Sequence, residues 1–277
     1  MLEDVSDYEL QKDEQPSNFE SRSPLPWLLA VIAIAAAAGA GWYFYTNRQT
    51  QPQLSQAATE SAAPAAARPL GGAADAIELP PLSETDALVR QLVSGLSSHP
   101  TVAAWLTTDD LLRSFTVAVE NIATGATPAR RLTVLRPPGT FRVIEDDGDW
   151  LIDPRSYERY APLAGAVQSL DADGTARLYS TLKPRIEEAY AELGRQRSFD
   201  VTLEEALVAM LRTPVPAGNV SLVQRGATMY AFEDARIERL TPAQKQLARM
   251  GPANARAIQG KLREIALALG IPSERLP

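Results

Sequence analysis

The pattern of apolar and polar positions divides this chain into a continuous apolar run, a stretch without large apolar residues, and a long series of apolar stripes. The run is residues 26–45, PWLLAVIAIAAAAGAGWYFY, and no charge falls from Ser23 to Asn47. As a helix it is about 30 Å long, which matches the hydrocarbon core of a bilayer. Trp27 stands at one end and Trp42, Tyr43, Phe44 and Tyr45 at the other, where amphipathic rings favour the headgroup level. The pattern predicts one N-terminal transmembrane helix over 26–45. A cleaved secretory signal is the competing reading, but it would start with a short basic region and carry a shorter apolar core. Here 25 residues precede the run, and the aromatic cluster follows Ala38-Gly39-Ala40 almost directly.

Residues 46–78 are rich in Ala, Gln, Pro and small polar residues. They offer no periodic apolar face whose burial could offset the entropy of ordering them. The stretch reads as a disordered tether with a root-mean-square reach of roughly 30 Å. Beyond it, residues 79–277 carry stripes at helical spacing. Leu88, Val89, Leu92, Val93 and Leu96 form the first, before His99-Pro100 breaks the pattern. Leu111, Leu112, Phe115, Val119 and Ile122 form the second, with Thr107 or Thr108 as its cap.

A β element is expected next. RLTVLR, 131–136, is β-branched enough for a short strand, and FRVIEDDGDWLID reads as a hairpin around Asp146-Asp147-Gly148-Asp149. Helical spacing returns with Tyr157, Tyr160, Leu163, Val167 and Leu170. Asp171 or Asp173 caps a longer helix, containing Pro184, with Leu178, Leu182, Ile186, Ala189, Tyr190 and Leu193 inward. VTLEEALVAML makes another helix, VSLVQRGATMYAF a second hairpin, and the C-terminal residues 234–270 three more helical runs. The expected fold is mainly α: a multi-helix globular domain with two small β-hairpins, plus the transmembrane helix.

Charge and composition narrow the function. The formal net charge is −7, which argues against nonspecific nucleic-acid binding. With no cysteine, disulfides, thiolate metal sites and cysteine nucleophiles are excluded. The tail, 1–25, holds seven acids against Lys12 and Arg22, and Arg48 is the nearest base beyond the run. That bias of bases toward the tail favours an N-terminus inside and a C-terminal domain outside the cytoplasm.

Candidate chemistry is sparse. The single histidine, His99, precedes a proline between two helices and reads as a loop or packing residue. Glu145, Asp146, Asp147, Asp149 and Asp153 lack EF-hand spacing and read as a solvated turn. Asp109 and Asp110 lie in the first turn of a helix, where acids offset the macrodipole. No phosphate-cradling loop or nucleophile elbow is present. No catalytic residue, metal or cofactor is expected.

Two surfaces read as interaction candidates. From Asp234 onward eight bases face four acids, and Lys245, Arg249, Arg256, Lys261 and Arg263 form a basic face. Arg256 and Arg263 lie opposite the apolar seam Ala255, Ile258, Leu262, Ile265 and Leu269. Such a face could meet anionic headgroups, an anionic envelope polymer or an acidic protein. In the anchor, Ala33, Ala37 and Gly41 form a small-residue strip that can support a homodimer.

The stretches PPLSETDALVRQLVSGLS, AAWLTTDDLLRSFTVAVENIATG, DADGTARLYSTLKPRIEEAYAELG and LTPAQKQLARMGPANARAIQGKLREIA carry a resemblance. Over about residues 80–270 the chain is similar to a bacterial family catalogued only as a domain of unknown function. The resemblance implies a bacterial inner-membrane protein with an anchor, a tether and a periplasmic domain, and transfers no site residue. The expected role is an interaction or scaffold module on the periplasmic face. The alternative is an envelope enzyme with an Asp/Glu-based site acting on a glycan.

Overall fold

The computed structural model of the protein describes residues 69–277, except Arg131, Asn219, Ala227 and Thr228. The tail 1–25, the expected anchor 26–45 with its strip Ala33, Ala37 and Gly41, and the tether up to residue 68 lie outside the described residues. Among the described residues, no helix is long and apolar enough to cross a membrane.

A 3-10 turn at Leu82–Glu84 leads into α1 (Asp86–Ser94), α2 (Pro100–Trp105) and α3 (Leu111–Ala123). Strands β1 (Val143–Asp146) and β2 (Asp149–Ile152) precede α4 (Arg155–Glu158), α5 (Ala161–Gln168), α6 (Ala172–Ala191) and α7 (Phe199–Leu211). Strands β3 (Ser221–Gln224) and β4 (Tyr230–Phe232) precede α8 (Ala235–Glu238), α9 (Pro242–Arg249) and α10 (Pro252–Ala268). The domain is mainly helical, as the stripes predict.

Local chemistry explains most helix starts. The Asp171 carboxylate accepts from the Gly174 N–H at 2.9 Å and opens α6. The Ser198 hydroxyl accepts from the Asp200 N–H at 3.2 Å and opens α7. Thr241 and Gln244 form a reciprocal capping box at α9. Capping of α3 differs from expectation. Thr107 and Thr108 turn their hydroxyls back to the Ala104 and Trp105 carbonyls, and the cap comes from α1. There the Asp86 carboxylate accepts from the N–H groups of Asp110 and Leu111 at 2.8 and 2.9 Å.

Three further elements depart from the sequence reading. The His99-Pro100 break is itself the start of α2: Pro100 sits where no N–H is needed, and His99 Nδ1 accepts from the Thr101 N–H. The expected strand at 131–136 contains a 3-10 turn, Thr133–Leu135, because its apolar residues do not alternate. The expected helix over 154–170 is broken between α4 and α5, where Pro162 starts a new first turn. Leu193, expected to face inward on the next helix, lies beyond its end: α6 stops at Ala191, and Leu193 is exposed.

The two expected hairpins are one sheet. β1 and β2 join through Asp147-Gly148, both at positive φ (50° and 88°), as a two-residue primed turn requires. β3 and β4 form the second hairpin, and β2 pairs with β3 through Trp150↔Leu222 and Leu151↔Ser221. The result is a four-stranded antiparallel sheet in chain order. Ile152, Leu222 and Phe232 bury one of its faces with Ile237 and Ala248.

The main core lies among α1, α3, α6, α7 and α10. α3 packs most extensively on α7 and then on α6, while α10 packs on α5, α6 and α7. Residues 69–78, expected at the end of the tether, lie along α6. Leu70 is buried in the main core. The Gly71 N–H donates to the Leu269 carbonyl at 2.9 Å, the Gly72 N–H to Ala176 at 3.4 Å, and the Asp75 N–H to Thr181 Oγ1 at 2.9 Å. Gly71 has φ +112°, and a Cβ there would stand 2.0 Å from Ser180 Oγ, so only glycine lets the strap lie this close.

Candidate functional site

The apolar stripes that build the core also leave a space between them. A cavity of about 380 Å³ lies among the helices of the main core. α1 contributes Val89 and Val93, α3 the stripe from Leu111 to Ile122, and α6 the residues from Thr175 to Ile186. α7 closes it with Leu203, Ala206, Leu207 and Met210, and α10 with Leu262, Ile265 and Leu269. Only apolar atoms face it. At one end, the Asp171 N–H bonds the Leu96 carbonyl at 3.3 Å and draws together Leu96, Leu170 and Thr175, all half-buried.

Size and polarity together say what such a space can hold. Water is held in a cavity by two to four polar partners, and an apolar cavity of about 150 Å³ stays dry and takes up small hydrophobes. The space is therefore suited to apolar matter from outside the domain.

Tyr179 ties the wall to the surface. Its ring faces the cavity, and its hydroxyl donates to Asp200 Oδ1 at 2.6 Å. Asp200 Oδ2 accepts from the Leu70 N–H at 3.1 Å and from the Lys183 ammonium at 2.5 Å. Burial, reinforced by the Asp200 carboxylate, pushes the Tyr179 phenol well above its ordinary pKa, so it is a neutral donor.

A second polar knot lies behind α3. Glu120, 7 % exposed, accepts from the Tyr190 hydroxyl at 2.8 Å, and Thr202 Oγ1 meets the same hydroxyl at 2.8 Å. Arg195 reaches Glu120 at 2.7 Å, while Arg197 bonds Glu205 at 2.7 Å. Every polar group of this knot has a partner, which is the signature of a structural network.

The residues singled out from sequence occupy other places. Lys245 bonds Glu238 at 2.8 Å, and Arg249 lies over the Phe232 ring at 5.3 Å. Lys261 pairs with Glu264, and Arg263 donates to the Pro277 carbonyl. Arg256 is exposed on α10. The structure thus commits four of the five bases to contacts within the domain. The seam opposite them is inward: Ala255, Ile258, Ile265 and Leu269 are buried. His99 caps α2, and hydrogen bonds from Arg155 lower the Asp153 carboxyl below its ordinary pKa. Among the described residues, no group of His, Asp and Glu has the arrangement to hold a metal ion.

Sequence reasoning named most of the cavity wall, but as core. It missed the cavity itself and the small residue Ala206 on its α7 side. Compared with known proteins, residues 111–266 match the family model described as Protein of unknown function (DUF3014). The match begins at the first residue of α3 and ends within α10. It covers four of the six helices that line the cavity, and leaves α1, α2 and the strap before it. No curated protein and no solved structure matches the chain.

Proposed function

The chain belongs to the DUF3014 family, and we propose that it is a membrane-anchored envelope protein whose helical domain is a binding module. In this reading residues 26–45 hold it in a bacterial inner membrane, with the acidic tail in the cytoplasm. The domain then stands in the periplasm on a tether that ends where Leu70 enters the core. The observation that carries the binding role is the cavity faced only by apolar atoms. Such a wall can hold a ligand by burial and offers no group to move a proton or attack a bond. The glycan-enzyme alternative needs two free carboxylates facing one cleft; no carboxylate faces this one, and of Glu233 and Asp234, which line a separate cleft beside β4, Asp234 is taken up by Arg236 at 2.8 Å.

Two measurements test the reading. A C-terminal alkaline phosphatase fusion should be active, and a C-terminal fluorescent fusion of the cytoplasmic type dark; the reverse pair would put the domain in the cytoplasm. For binding, full-length protein purified from its own membranes is denatured and the released small molecules are identified. Wild type is compared with Ala206→Trp, which fills the cavity from α7. A compound carried by the wild type and lost from the variant supports a binding module. Identical profiles from both proteins would remove its basis.

A further inference from the structure

Building on the reading of the domain as a binding module, we infer that the cavity takes a single long aliphatic chain, that of a fatty acid or of a membrane lipid. Shape is the first reason. The wall follows α6 from Thr175 to Ile186 and α3 from Leu111 to Ile122. Eleven steps of helix rise make each of these walls about 16 Å long. One face of α6 and one face of α3 line the space over about three turns each, a run that suits an extended chain better than a compact ring system.

Chemistry is the second reason. The wall is mostly Leu, Ile and Val, and the polar atoms of its two hydroxyl residues do not face the cavity. The Tyr179 hydroxyl is already used by Asp200. A ligand seated here finds no hydrogen-bond partner along its length, so the buried part must carry no polar group. Any headgroup has to stay outside. The half-buried residues Leu96, Leu170 and Thr175 provide for this at one end of the wall.

The test uses full-length protein in phosphatidylcholine nanodiscs and three photoreactive probes: diazirine-bearing palmitate, diazirine-bearing phosphatidylglycerol and benzophenone. Palmitate should label peptides of α3 and α6, and Ala206→Trp should lower that labelling about tenfold by removing the volume that burial needs. Leu203→Phe is a second filling variant, and circular dichroism checks that both keep the helical fold. Labelling by palmitate alone assigns the chain to a free acid; labelling by phosphatidylglycerol as well assigns it to a lipid. Labelling by benzophenone alone would overturn the aliphatic inference and leave the binding module standing. If no probe distinguishes wild type from both filled variants, both readings are wrong.

Discussion

Tyr179 and Asp200 are joined by a 2.6 Å hydrogen bond that links a cavity wall to the N-terminal strap. The carboxylate that receives the phenol also receives the Leu70 N–H and the Lys183 ammonium. Displacing the Tyr179 ring therefore acts on the chain segment that leads toward the expected tether.

Asp200→Asn should loosen this joint. Hydrogen bonds to a charged group contribute roughly 1.5–3 kcal/mol, and the variant weakens three of them at once. The strap should respond more than the helices. Limited proteolysis should cut the wild type before residue 69, and the variant also within 69–78. A variant cut only where the wild type is cut would show that the strap is held by Leu70 burial alone.

Gly251→Ala should destabilise the domain by roughly 2–4 kcal/mol, at the severe end for a single substitution. Gly251 has φ +85°, and a Cβ there would stand 2.4 Å from Tyr157 Cγ. Denaturant melts of the two proteins check the value. Gly260→Ala is the control, since nothing lies within 4 Å of its Cβ position; it should be neutral or slightly stabilising.

Glu120→Ala should cost roughly 1–3 kcal/mol, because the buried Tyr190 hydroxyl and the Arg195 guanidinium lose their acceptor. The cost stays in this range because Arg195 is about half exposed and can turn to water. A double-mutant cycle with Tyr190→Phe measures the coupling. Zero coupling energy would mean that the 2.8 Å contact contributes nothing.

Alkaline pH should unfold the domain earlier than an ordinary tyrosine content implies. Burial pushes Tyr157 up to about 12, and Tyr179 is raised further in the same direction. In the unfolded chain both titrate near 10.0. The protonated folded state is thus favoured below pH 10, and that stability is lost as pH climbs toward the folded values. Melting temperature followed from pH 8 to 12 should fall above about 10. Tyr157→Phe should flatten the fall and also remove a buried hydroxyl that has no hydrogen-bond partner.

Much of the helical framework could be read from the chain. The stripes on α1, α3, α6 and α10 point inward as their spacing requires. Other features depend on distant residues. The cap of α3 comes from Asp86 on α1, and the union of the hairpins depends on Trp150 meeting Leu222. α2 was hidden because proline reads as a breaker, although it is tolerated in a helix's first turn. The cavity was hidden for a more general reason. Periodicity tells which side of Leu178 or Val119 turns inward, but not whether the inward volumes fill the space between helices. Ala206, the small residue where Trp should close it, carries no signal of its own.

The same void gives the domain a mechanical property. Pressure favours whichever state has the smaller volume, and unfolding eliminates internal voids, typically with a change of roughly −20 to −100 mL/mol. The poorly wetted apolar space among the core helices should add to that change when it is empty, so that the empty domain yields at lower pressure. A domain whose cavity is occupied has little volume left to lose. Compressibility then becomes a readout of occupancy, and the protein emptied of its ligand should be the softer of the two forms.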